Sequence, residues 1–502
     1  MTIAALRLVI WRSSTVMEKI DAKDWLFLTV SGVIWLILYV LLFYRYVPYD
    51  IDLAWTTSWI YEFIEKGNVG DPIFLGTSGG VPIGTVLNYK GFVYFYGSLM
   101  QIFGWHNMLE TGKFLSLFWS LTALLIWYFA AKLLLNNHKK AIFFSLSLAF
   151  SEPFIAMTQK IRVESVGIFF IGLALLLIIK EQTFSACFVA GISFETHPTI
   201  SVISYGYIFA YILANPKVFF PDVKTFWKQC FFGILGVILG FGIYIALYLN
   251  ILRNLVSYIT GLQESTNFGT YLSRYFFESR MTYRHLPEGI LFIFAVIFYL
   301  IKKQFKVHRV YLYFIIAIIV TALMLKRENH HYMVYAEPAF LLMVFAILPL
   351  QFKKIHISPM SFCLLWMLYL VPQFLLVAFV INTPGKIWDF PKYRTELRVL
   401  IPEKNSLIFT SEMNDWFSIY ESEMHDISLY RKYNLAEEAQ KHPVYFVLHT
   451  RVKDKNNQIS LNTFTNEIQY LLNDLQRQSY HIGQQELYVA NEPVKIIKLI
   501  KQ

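Results

Sequence analysis

The sequence predicts an all-α polytopic membrane protein of about eleven transmembrane helices, followed by a C-terminal α/β extracytoplasmic domain. Three observations predict it. The 502-residue chain is 56% hydrophobic and 18% aromatic but only 16% charged, against roughly 25% charged in ordinary globular chains. Apolar runs of about 18 residues or more recur up to Ile381. Beyond Ile381 the composition turns polar with balanced charge, and short β-rich runs replace the long apolar ones.

Spans are expected near 25–46, 112–135, 141–158, 163–180, 184–196, 199–214, 229–252, 288–301, 310–325, 333–350 and 359–381. The segments 184–196 and 199–214 are short for a bilayer of about 30 Å, so they are either tilted or meet partway through the membrane around "ETHPT". Arg7, Arg12, Lys19 and Lys23 precede the first span, and no small-residue cleavage site follows it, so that helix is read as retained. The short loops "NNHKK", "IIKEQ", "NPKVFFPDVKTFWKQ", "KKQFKVHR" and "QFKK" are rich in lysine and are placed in the cytoplasm with the N-terminus. The alternate loops then fall on the non-cytoplasmic side, and nearly every out-of-place acid, His and Arg collects there. The net charge of +10 is loop topology in this reading, and no nucleic-acid partner is implied. Cys187, Cys230 and Cys363 lie in apolar runs and give no disulfide framework. The chain has no Asn-x-Ser/Thr acceptor; with the lack of disulfides this favours a multi-pass bacterial inner-membrane location.

Two modules follow: residues 1–384 as the transmembrane catalytic module, and 385–502 as a small soluble α/β domain of roughly 115 residues. Strands are expected at "SLIFT", "VYFVLHT", "ELYVAN" and "VKIIKLI", with an amphipathic helix around 463–477. An odd number of spans puts this domain on the non-cytoplasmic side. It shows no nucleotide loop, CxxC or Gly-rich phosphate cradle.

The first outer loop, about 47–111, opens on "YDIDLAW". "DLAWTTSWIYEFIEKG" reads as an amphipathic helix ending at Gly67 and lying on the membrane surface. Asp50 and Asp52 either end one helix in water and cap the next, or act as general base or metal ligands; two carboxylates this close can share a divalent cation. "QKIRVES" puts Arg162 and Glu164 at a span start, and side chains two apart on a helix address different partners. Arg162 is read either as a snorkelling interfacial residue or as part of a site. Glu195 and His197 in "ETHPT" interrupt an apolar stretch, either as groups satisfied between helices or as functional ones. Lys326, His330 and His331 in "KRENHHY", and Arg284 among aromatics, form either an ordinary basic rim or a phosphate-binding set.

Ser-His-Asp, HExxH and Walker patterns are absent, so energy must come from a gradient or an already activated substrate. Taken in order, "PYDIDLAWTTSWIYEFIEKG", "LNYKGFVYFYGSLMQIFG", "QKIRVESVGIFF", "THPT" and "NHHYMVYAEPAF" resemble the motifs of GT-C glycosyltransferases of the protein O-mannosyltransferase, aminoarabinose transferase and galacturonosyltransferase type. The likeness covers about residues 20–350. Many relatives carry adjacent acids, Asp-Glu, in the first loop; here the sequence is Asp50-Ile51-Asp52.

The resemblance implies a GT-C-like fold and an enzyme that moves a hexosyl or pentosyl group from a polyprenyl-phosphate-linked sugar to a polar acceptor (glycan, lipid or protein). Transfer would occur on the non-cytoplasmic face, with inversion. It implies Asp50, with Asp52 second, as the base, and Lys90, Arg162, Arg284 and Lys326 around the departing phosphate. Glu164 and His197 would orient the sugar or a base, and His330, His331 and Tyr332 belong to the substrate-binding set. A divalent metal ion could assist, without a secure ligand set. The alternatives are a transporter or flippase of lipid-linked sugar, a polysaccharide polymerase or ligase, and a sensor built on the C-terminal domain.

Overall fold

The computed structural model describes residues 22–43, 51–67, 77–78, 81–82, 90–104, 108–247, 309–325, 333–352, 355–382, 389–412, 415–449, 481–489 and 492–500, with Ile73, Ile297 and a few positions between 470 and 477. The first helix is α1 (Ala22–Leu42); α2 (Ile51–Lys66) and α3 (Lys90–Phe103) belong to the first loop. The bundle continues through α4 (Met108–Leu135), α5 (His138–Phe150), α6 (Glu152–Thr158), α7 (Val163–Ile179), α8 (Thr183–Ile192) and α9 (Pro198–Ala214). It closes with α10 (Val223–Leu247), α11 (Arg309–Leu325), α12 (Met333–Ile347) and α13 (Pro359–Asn382).

Among the described residues, four helices are long and apolar enough to cross a membrane, or five if α5 and α6 form one bent span; α7, α8, α9, α11 and α12 are apolar but shorter. The expected span 288–301 lies outside the described residues, apart from Ile297. The expected span 141–158 is a bent helix pair with its break at Ser151. It bends by 65° between α5 and α6. Ser151 is extended (φ −62°, ψ 143°), and Pro153 opens α6, where its missing N–H costs nothing.

Close helix packing comes from small residues. On α10, a Cβ added at Gly236 would lie 2.5 Å from the Phe184 carbonyl oxygen, and one at Gly240 2.7 Å from that of Phe188. This Gly-x-x-x-Gly stripe lets α8 and α10 touch backbone to backbone. Within the first loop, the expected helix end at Gly67 is described. Gly67 ends α2 with φ +71°, donating its N–H to the Phe63 carbonyl at 2.9 Å.

After α14 (Phe390–Leu400) the chain forms a five-stranded sheet of β1 (Leu407–Thr410), β2 (Glu423–Asp426), β3 (Val444–His449), β4 (His481–Val489) and β5 (Glu492–Ile500), ordered β2-β1-β3-β5-β4. β1 runs parallel to β2 and β3, while β5 is antiparallel to β3 and β4. Covered faces on both sides explain why β1 and β3 are buried throughout. Leu407, Phe409, Phe446 and Ile497 form one core, whereas Ile408, Tyr445, Val447 and Ile496 join the core continuous with the helical bundle. Of the expected helix at 463–477, only scattered positions are described.

Candidate functional site

The helical bundle has one end at which polar side chains are buried rather than solvated. It is assembled by the loop between α6 and α7, the first loop, and the break between α8 and α9. Arg162 is the N-cap of α7, with extended backbone (φ −141°, ψ 163°). Its guanidinium forks onto Glu164, Nε to Oε2 and Nη2 to Oε1, each at 3.0 Å, with both residues buried. The expectation that these two address different partners is therefore corrected. Arg162 stands outside the helix, so the i,i+2 separation of a helical face does not apply, and a two-point charge-assisted pair forms instead.

The residues around this fork are tied to the rest of the bundle through neighbouring backbone. Thr56 of α2 donates to the Ile161 carbonyl at 2.8 Å, and Gln159 donates to the Tyr39 carbonyl at 3.2 Å. Lys113, fully buried at the start of α4, donates to the Phe43 carbonyl just past the end of α1. Tyr96 of α3 reaches Ser165 Oγ at 2.6 Å and Ser116 Oγ at 3.1 Å, and Ser116 donates to the Lys160 carbonyl at 2.6 Å.

The α8–α9 break adds Glu195, Thr196 and His197, all buried. A 3-10 turn, Ser193–Glu195, ends α8. His197 then caps α9: its Nδ1 accepts the Thr199 N–H at 3.1 Å, which requires a neutral ring with its proton on Nε2. Helix α3 abuts this break. A Cβ on Gly91 would lie 2.8 Å from the Glu195 Cβ, so the start of α3 meets the break directly. Glu337 of α12 is also buried, and Tyr335, on a different face of the same helix, packs its hydroxyl against Gly167 of α7.

The C-terminal sheet docks on the same end. Tyr61 of α2 packs edge-on against Trp416 and Tyr420 (centroids 5.7 and 5.6 Å), Arg394 pairs with Glu110 at 3.4 Å, and the Asp426 N–H donates to the Ile73 carbonyl at 3.2 Å. Burial, then Glu65, pushes the Tyr61 phenol up to about 12. Behind these contacts Asp415, wholly buried, accepts from Tyr393 (2.8 Å) and Thr410 (2.6 Å) and lies 3.0 Å from His449 Nε2. Burial and the neighbouring Asp415 hold the Tyr393 phenol well above its ordinary range.

The structure thus brings Arg162, Glu164, His197 and the backbone of Lys90 to one end. Asp52 is the second residue of α2, so Ile51 opens the helix ahead of it. Asp50, Arg284, Lys326, His330, His331 and Tyr332 lie outside the described residues. Sequence reasoning passed over Lys113, Tyr96, Ser165 and Glu337. Lys113 and Glu337 carried a signal, a charge inside an apolar run; Tyr96 and Ser165 carried none. Among the described residues no three His, Cys, Asp or Glu side chains converge as a metal site.

These features define a helical membrane protein with a small sheet region docked at its polar end. The chain is similar to the crystal structure of ArnT from Cupriavidus metallidurans bound to undecaprenyl phosphate, with a TM-score of 0.60 and 12% identity, over 95% of this chain and 98% of that one. At that identity the likeness is one of fold. No family model and no curated protein matches the sequence.

Proposed function

We propose that the protein is an integral-membrane glycosyltransferase that moves a sugar from a polyprenyl-phosphate donor to an acceptor hydroxyl on the non-cytoplasmic face, inverting the anomeric centre. The observation that carries this reading is the convergence of the first loop, the Arg162–Glu164 fork and the Glu195–His197 break at one end of a GT-C bundle. The similar ArnT structure holds undecaprenyl phosphate. Residues 1–384 form the catalytic module in this reading, and 385–502 a soluble domain on the same side.

Direct displacement needs two things from the protein. A base takes the acceptor proton as oxygen attacks the anomeric carbon; Asp50 is assigned this role, with Asp52 second. Cations meet the charge growing on the departing phosphate: Lys90, Arg162, Arg284 and Lys326. Glu164 holds the Arg162 guanidinium flat, so that its remaining N–H groups are aimed and its charge is partly balanced before lipid arrives. Glu164 and His197 orient the sugar or the base, and His330, His331 and Tyr332 complete the binding set.

The test uses purified protein in nanodiscs with a panel of radiolabelled polyprenyl-phosphate sugars, wild type beside Asp50→Asn. Loss of lipid label with wild type only is expected. Intact label in both, with lipid-sugar still crossing a liposome bilayer, would replace this reading with a flippase.

A further inference from the structure

We infer that Tyr96 is a positioning residue for the reaction, holding the first loop and the Arg162–Glu164 fork in one register; this rests on the reading just proposed. Tyr96 lies on α3, six residues beyond Lys90, and is fully buried. Its hydroxyl contacts Ser165, the residue after Glu164, at 2.6 Å, and Ser116 of α4 at 3.1 Å. Both serines hold backbone of the site loop: Ser165 donates to the Arg162 carbonyl at 3.1 Å, and Ser116 to the Lys160 carbonyl at 2.6 Å. With those serine protons committed, the single Tyr96 proton goes to Ser165, the nearer acceptor, and Ser116 is a polar contact at 3.1 Å with no proton of its own to add.

One phenol on α3 of the first loop therefore touches both α4 and α7. Burial gives it no water to exchange for these partners, so removal leaves Ser165 and Ser116 each short of a contact. Ser165 is then free to turn from the Arg162 carbonyl. Because Arg162 is a cap and not a helical residue, its backbone depends on such contacts more than on the helix itself. At its other end α3 begins at Lys90 and abuts Glu195 through Gly91. The same hydroxyl thus sets the spacing between the Lys90 end of α3 and the guanidinium.

The variants are Tyr96→Phe, Ser165→Ala, their double, and Tyr311→Phe, which removes an equally buried hydroxyl bonded at 2.8 Å to the Leu134 carbonyl at the far end of the bundle. All are assayed as full-length protein in nanodiscs on the donor that wild type consumes. For Tyr96→Phe, kcat is expected to fall at least about tenfold, as expected when reacting groups lose their alignment, with donor KM nearly unchanged. Ser165→Ala should fall similarly and the double variant no further, because both remove one contact chain. Tyr311→Phe should keep kcat. A Tyr96→Phe enzyme with wild-type kcat, or losses that multiply in the double variant, would overturn the inference. A cryo-EM map of Tyr96→Phe supplies a readout independent of turnover: Arg162 is expected to have left Glu164, and an intact fork overturns the inference. If wild type consumes no donor, the proposed function fails and the map alone decides this one.

Discussion

The two ends of the helical bundle solve the same problem in opposite ways. At the end carrying the α4–α5, α7–α8 and α9–α10 turns, chain reversals are local. Asn137 caps α5 by accepting the Lys140 N–H at 2.8 Å, Asn136 and Glu181 turn the chain with φ of +46° and +62°, and Asp222 accepts from Thr225 at 2.8 Å. Longer-range side-chain contacts there join helix ends, as Arg309 and Tyr311 do to the Ala214 and Leu134 carbonyls and Lys139 does to Asp24. At the other end Arg162, Glu164, Lys113, Glu195 and His197 are buried, and their neighbourhood is stitched by bonds between residues far apart in sequence. Burying an ion pair in a membrane protein is costly and weak as a source of stability. A fold that needed only to turn its helices would use the first solution twice. The second accords with the function proposed above, in which that end receives a charged ligand.

Breaking the fork should give the largest effect. Glu164→Ala leaves the Arg162 guanidinium buried without its carboxylate, which should cost about 3–5 kcal/mol, seen as a lower melting temperature in detergent together with loss of transfer. Glu164→Gln keeps one acceptor and should lose less stability than Glu164→Ala. If Glu164→Ala melted like wild type, the polar end would be no more demanding than the other.

Crowding the contact between α3 and the α8–α9 break comes next. Gly91→Val puts carbon 2.8 Å from the Glu195 Cβ and 3.2 Å from its backbone oxygen. Overpacking of this kind costs about 1–3 kcal/mol, and here it should also lower kcat. Gly32→Ala on α1, where no atom lies within 4 Å of the new Cβ, is the matched control and should be neutral or slightly stabilising. At the locally capped end, Asn137→Ala should cost about 1 kcal/mol and leave transfer untouched. Equal loss of activity at the two ends would dissolve the contrast.

Much of the helical layout was legible because helices such as α1, α4, α10 and α13 are long, dominantly apolar runs. The surface helix ending at Gly67 was legible because its amphipathic pattern stops at a residue suited to positive φ. Four of five strands stood out as β-branched or aromatic runs; β2, Glu423–Asp426, did not, being a short polar edge strand paired only with β1. The bend at Ser151 was written as Ser-x-Pro within an apolar stretch, and apolarity masked it. In the site, residue types and sidedness were readable, but pairing was not. Arg162 meets Glu164 only because the cap backbone is extended, and Tyr96 meets Ser165 across 69 residues of chain. Periodicity describes one element at a time and carries no information on such contacts.

The smallest expected effect is acid sensitivity in the docked sheet region. Glu423 sits below the ordinary glutamate range because His425 bonds it at 2.8 Å and Tyr433 at 3.4 Å, against some opposition from burial. Glu403 is pushed up by partial burial, but Lys498 at 2.6 Å and Tyr445 at 2.6 Å outweigh that and leave it lowered too. A carboxylate whose folded pKa is depressed stabilises the fold fully above its unfolded value, about 4.3 for Glu, and loses that contribution as pH falls through the folded value. Both residues are partly open to solvent, so each contribution is small. Melting temperature should therefore hold steady from neutral pH down to the ordinary glutamate range and decline below it. Glu423→Gln should flatten part of that decline while lowering stability slightly at pH 7. A loss of stability that set in near pH 6 and survived Glu423→Gln would show that these carboxylates do not govern the acid response.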